Sequence, residues 1–164
     1  SHSDFRSEDI IEREADNFAA HLLMPDSLFG EMEPDFRSIR MRTDEYNVSL
    51  TACLIRTIEV SCKAVAGILT SGGAMRWCCS SEEMAMLGLH NQTLRKGRPP
   101  AKSVTAELLT GLTERPQTAH RAKIPLTASE WFAAGFRKDN LLYEEALPCR
   151  NIDTILTLLI HEKD

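Results

Sequence analysis

Glu12 and Asp16 stand four residues apart in the run Glu12-Arg13-Glu14-Ala15-Asp16-Asn17-Phe18-Ala19-Ala20-His21-Leu22-Leu23-Met24-Pro25. On an α-helix that spacing puts both carboxylates on one face, one turn or ~6 Å apart. Carboxylates so placed repel each other unless a cation or a donor lies between or beside them. The pair therefore reads either as a solvated acidic helix face or as part of a site that holds a cation. Glu14 points about 200° around the same helix from Glu12 and belongs to neither arrangement.

The remaining residues able to do chemistry are scattered. His21, His90 and His120 have no partner histidine four residues away, so none builds the helical chelate that zinc enzymes use. His161-Glu162-Lys163-Asp164 stops one residue short of H-E-x-x-H and follows a strand-like apolar run, so it reads as a tail. The five cysteines, Cys53, Cys62, Cys78, Cys79 and Cys149, form no C-x-x-C pair and are odd in number. Free and largely buried thiols of a reducing cytoplasm are the expected state. Within a strand Cys78 and Cys79 would face opposite ways, one buried and one exposed, which makes a poor chelate. No serine has a nearby histidine with an orienting acid, and Trp77, Trp131 and Phe132 read as core or sheet-face aromatics.

The elements that must position these groups begin with a helix over residues 7–24. Ser7 caps it, Glu8 and Asp9 suit the positive end of its dipole, and Pro25 stops it. Ile11, Ala15, Phe18, Ala19 and Leu22 recur at helical spacing and mark one apolar stripe. Asp26 is placed to cap a short helix through Phe29. A polar helix is expected at 35–45, and another at 50–61 with Leu50, Cys53, Leu54, Thr57 and Ile58 inward. From Lys63 the texture changes. Residues 64–69, the turn Ser71-Gly72-Gly73 and residues 75–78 read as a hairpin. Short helices are expected after Ser80 or Ser81 and over 104–112 behind Ser103. Strands are expected at Trp131-Phe132, at 141–146 and at 154–160. The fold class is α+β: N-terminal helices over 1–60, then a small antiparallel-sheet unit over 61–164, with helices on one side of the sheet and separate from the first helices.

Composition narrows the function classes. Of 164 residues, 43% are hydrophobic and 26% charged, the balance of a globular chain. No apolar run approaches the roughly 20 residues of a membrane helix, and the first residues lack the apolar core of a signal peptide, so no membrane partner is expected. A net charge of −5 argues against a surface that neutralises many phosphates. Arg95-Lys96-Gly97-Arg98-Pro99-Pro100-Ala101-Lys102 reads as a solvated loop, and no direct nucleic-acid contact is expected.

The pattern E-x-E-A-[ND]-x-F-A-x-x-L-L-M-P filled by Glu12 to Pro25 resembles the second signature of the ImmA/IrrE zinc peptidases. The resemblance implies a zincin-like catalytic domain. There, an upstream helix with H-E-x-x-H supplies two histidine ligands and a glutamate that activates water. The present helix supplies the third ligand, Glu12, with Asp16 bonded to the far nitrogen of a zinc-bound histidine. Phe18, Ala19, Leu22, Leu23 and Met24 would pack against the histidine-bearing helix. Val48-Ser49-Leu50-Thr51-Ala52-Cys53-Leu54-Ile55-Arg56, the hairpin Gly72 to Trp77, and Leu156 to Leu159 also resemble parts of the family, some of whose members carry a GAF-like sensor domain.

No H-E-x-x-H occurs in the 164 residues. One glutamate does not hold zinc, so the chain alone is expected to bind none and to be inert, with zinc belonging to a longer parent. Such a parent would be a cytoplasmic endopeptidase that cleaves a helix-turn-helix repressor in transcription regulation or stress response. The alternative is a non-catalytic regulatory module in which the region from about residue 60 binds a ligand or partner.

Overall fold

The computed structural model describes residues 18–111, 118–133, 140–149 and 153–162. The chain enters on helix α1, residues 18–23, which ends as expected at Met24-Pro25. Helix α2 (Asp26–Phe29) follows at once. Pro25, not Asp26, holds the cap position, because proline's fixed φ suits the entry to a helix while its missing N–H costs nothing there. Helix α3 (Phe36–Tyr46) starts on the Asp35 side chain, which accepts from the Ser38 amide, and ends on Asn47 in the left-handed region. Helix α4 (Leu50–Glu59) starts on Ser49, which accepts from the Ala52 amide.

Strands β1 (Val65–Ser71) and β2 (Ala74–Ser80) form the expected hairpin. Its turn is Gly72-Gly73, with φ of +59° and +76°, a pair that only glycine adopts cheaply and that matches the twist of the strands. Helix α5 (Glu82–Met86) is capped by Ser81 and helix α6 (Val104–Thr110) by Ser103. Two short strands, β3 (His120–Arg121) and β4 (Leu126–Thr127), stand where no element was expected. They exist because β5 (Leu141–Pro148) offers them a partner edge. The strand expected at Trp131-Phe132 is instead the end of a one-turn helix, α7 (Ala128–Trp131), followed by a single bridge from Phe132 to Leu94. The Glu130 carboxylate reaches back to the Thr127 amide at 3.1 Å, and this capping box outweighs the β preference of the two aromatics. Strand β6 (Thr154–His161) closes the sheet. His161 is its last residue rather than a tail, its amide donating to Ala64 O at 2.9 Å.

All pairings are antiparallel, in the order β2-β1-β6-β5-β3, with β4 also on β5. The central strands are apolar on both faces, and so two layers cover them. On one face Ala20, Met24, Phe29, Phe36, Ile39, Cys53, Leu54 and Ile58 share a buried cluster with Val65, Leu147, Leu156 and Leu158. On the other, Met84, Leu89, Leu94, Ala128, Trp131 and Phe132 pack on Ala66, Ile68, Cys78, Leu142 and Leu159. Helices therefore lie on both sides of the sheet, not one, and the first helices form a layer of its core instead of standing apart. Helix α4 lies close on β1 at Gly67, where an added Cβ would come within 2.6 Å of Ile58 Cδ1. Cys79 is half-buried in this layer rather than exposed, because α4 covers its side of β2.

Candidate functional site

Helix α1 buries only one edge. Ala20 and Met24, four residues apart, enter the core at 9% and 0% exposure. Phe18, Leu22 and Leu23 are 72%, 69% and 55% exposed. The apolar stripe read through Phe18, Ala19 and Leu22 thus faces away from the sheet; of the residues expected to pack against another helix, only Met24 is turned to the core of this chain. Glu12, Glu14 and Asp16, together with the first part of the expected helix, lie outside the described residues.

The side chain that ties α1 to the body is Arg56, in the middle of the inner face of α4 and 2% exposed. Its Nε and Nη2 both donate to Met24 O, at 3.2 and 2.9 Å. Nη2 also pairs with Asp26 Oδ1, Nη1 donates to Glu59 Oε2 at 2.6 Å, and Nη1 lies 3.1 Å from His21 Nε2. Burial alone would lower the pKa of Arg56, but the bonds to Asp26 and Glu59 outweigh it and raise the value. The Arg56 bond holds the Asp26 carboxyl below the usual carboxylate range. His21, Asp26, Gly30, Glu31, Arg56, Glu59 and Val60 line an open depression of about 480 Å³.

A second polar centre straddles β5. Consecutive strand residues face opposite ways, so Glu144 and Glu145, 4% and 5% exposed, enter different layers. Glu144 accepts from the amides of Val104 and Thr105 at 2.8 Å and from Thr105 Oγ1 at 2.6 Å, at the start of α6. Glu145 accepts from the Phe36 amide at 3.0 Å, at the start of α3, and from Arg121 Nε at 2.9 Å. Burial pushes the Glu144 carboxyl up, against the pull of those donors. Beside Glu145, residues Glu33, Lys63, Arg121, Tyr143 and His161 line a cleft of about 640 Å³. Lys63 is paired there with Glu33 at 2.7 Å.

Sequence reasoning missed both centres. Arg56 was legible only as the tail of a family-like segment. The signal that could have exposed it is its place among Cys53, Leu54, Thr57 and Ile58, all inward on α4. For Glu144-Glu145 the signal is two adjacent acids inside an apolar strand, which a two-layer fold must bury on both faces.

The thiols give no reactive centre. All five are free; burial pushes Cys78 up to about 11 and raises Cys79 as well. The exposed Cys62 is raised by its bond to the Glu31 carboxylate at 2.6 Å. Among the described residues no three His, Cys, Asp or Glu side chains are grouped so as to hold a metal ion, so these residues by themselves do not fit zinc. Nor is any helix among them long and apolar enough to cross a membrane.

No curated protein sequence matches the chain. Residues 1–58 match the family model of the IrrE N-terminal-like domain of the peptidase M78 family, and that match covers the Glu12 to Pro25 run, α2, α3 and most of α4, including Arg56. Over this N-terminal segment the chain is similar to ImmA/IrrE-type metallopeptidases.

Proposed function

We propose that residues 1–58 are the later part of a zinc endopeptidase domain, with Glu12 as the third metal ligand and Asp16 orienting a zinc-bound histidine. The observation that carries this reading is the uncovered apolar row of α1. Phe18, Leu22 and Leu23 are large, at least half exposed, and turned away from the only core this helix touches among the described residues. An apolar face of this kind is the mark of a helix that packs against another. On the continuous helix that the sequence predicts over residues 7–24, Glu12 and Asp16 would each precede a residue of that outer side, Ala19 and Leu23, by seven positions, or two turns. A partner helix on the row would lie beside both carboxylates, where an H-E-x-x-H helix has to be. The chain without that helix is inert, and zinc belongs to the protein that contains both.

By resemblance the substrate is a cytoplasmic helix-turn-helix repressor, cut in a stress or transcriptional response, with no membrane or direct nucleic-acid contact. The test is cleavage of a co-encoded repressor by a protein carrying this chain together with its histidine-bearing helix. Cleavage should stop with chelator and return with zinc. A gene with no H-E-x-x-H ahead of Glu12, or cleavage indifferent to chelator, would sink the peptidase reading.

The cleft beside Glu145 favours a second reading, a regulatory module in which residues 61–164 bind a ligand or partner. A ligand of that cleft would protect residues around Arg121 and Tyr143 with or without zinc.

A further inference from the structure

Charge is spread unevenly along this chain. From Val60 to Ala106 there are six cations and only two acids, Glu82 and Glu83, although the net charge is −5. Four of those cations, Arg76, Arg95, Lys96 and Arg98, are exposed, and none has a carboxylate partner among the described residues. One is on the edge strand β2 and three are on the loop that flanks it. The Met75 amide donates to Gly97 O at 2.6 Å in an antiparallel bridge, so one step along it Arg76 stands opposite Lys96. Like charges opposite each other cost stability unless something negative lies between them.

The loop is pinned rather than free. Arg95 N donates to Trp131 O at 2.9 Å, and Leu94 and Pro99 are buried. Two guanidinium groups are fixed in the same way. Arg76 is skipped in the pairing of β1 with β2, as the extra residue of a bulge is, and its Nε donates to Ser71 O at 3.0 Å. Arg95 Nε donates to Ser129 O at 2.8 Å. In each, the two terminal nitrogens have no partner among the described residues. That end of a guanidinium takes a carboxylate through two parallel hydrogen bonds. The patch is bounded by acids. Glu82 and Glu83 follow β2 directly, and at the hairpin turn Asp153 O accepts from the Gly72 amide at 3.2 Å. The seven residues of β2 between them span about 23 Å. A long polyanion laid along the edge would run on to those acids, whereas a short anionic segment would not.

We propose that this edge is a docking surface for a short acidic segment of a partner protein. Arg76 and Arg95 take its carboxylates bidentately, and Lys96 and Arg98 add charge at the rim. The surface uses no residue of the peptidase reading and stands or falls apart from it.

Fluorescence anisotropy of a labelled hepta-glutamate peptide, titrated with the whole chain at low salt, tests the proposal. Arg76→Gln and Arg95→Gln should each weaken binding about fivefold, and Arg76→Lys, which keeps the charge but loses the fork, about threefold. Arg37→Gln changes an exposed arginine on α3, whose first turn sits at β5 and not at β2, and should leave binding unchanged. No saturable binding of the peptide, or equal weakening by Arg37→Gln, overturns the proposal. A single-stranded oligonucleotide of equal charge that binds more tightly than the peptide, and loses affinity in the same variants, also overturns it and assigns the edge to nucleic acid.

Discussion

Helices α1 and α4 carry similar apolar side chains and use them in opposite ways. Helix α4 turns Cys53, Leu54, Thr57 and Ile58 onto the sheet, at 0% exposure each, and closes so tightly on β1 that Gly67 is needed beneath it. Helix α1 gives the same core only Ala20 and Met24, and leaves Phe18, Leu22 and Leu23 in solvent. Burial of one large aliphatic side chain is worth about 1.5–3 kcal/mol, so leaving a row of them uncovered forfeits several kcal/mol that folding alone would have taken. One helix is built for the body of this chain. The other leaves its apolar row open, and the proposed reading assigns that row to a partner helix.

The widest expected gap follows from that contrast. Leu54→Ala should cost about 2–5 kcal/mol in urea unfolding, since it empties a closed site between α4 and the sheet. Leu22→Ala should stay within about 0.5 kcal/mol of wild type. Comparable losses for the two would show that the outer row of α1 is packed after all, and the contrast would fail.

The same contrast explains what could be read from the sequence. Elements governed by local chemistry were legible. Ser81 and Ser103 cap where their hydroxyls suggest, Gly72-Gly73 turns the hairpin, and Pro25 stops α1. What needed tertiary partners was not. The short strands β3 and β4 depend on the edge of β5. Trp131 depends on the capping box from Thr127 to Glu130 rather than on its own propensity. The two-layer arrangement follows from strands apolar on both faces, a pattern that one-sided alternation does not reveal. For the site, motif spacing was readable at Glu12 and Asp16, while Arg56 was not. A buried arginine is decided by the acceptors waiting for it, and of these the Met24 carbonyl and the Asp26 carboxylate come from 30 or more residues away.

A finer separation comes from pH. Asp26 and Glu144 are acids with opposite shifts, one at the Arg56 tie of α1 and one inside the second layer. The bond to Arg56 lowers Asp26, so its contribution to stability is present above the usual carboxylate range and is lost as pH falls below it. Burial raises Glu144, so its contribution is fullest below the usual carboxylate pKa and declines as pH rises through the raised value. Asp26→Asn should therefore flatten the acid side of the stability–pH profile, and Glu144→Gln should remove a decline above the normal carboxylate range. Thermal melts across pH 3–8 read both. Identical profiles for the two variants would remove this distinction between the Arg56 tie and the second layer.

The most direct test of the central claim is zinc titration of a protein containing this chain and its histidine-bearing helix, comparing wild type with Glu12→Gln, Asp16→Ala and Glu14→Gln. Wild type and Glu14→Gln should each hold one zinc per chain, Asp16→Ala should bind it roughly 10–100-fold more weakly, and Glu12→Gln should lose it. Full zinc binding by Glu12→Gln, with loss in Glu14→Gln, would contradict the account.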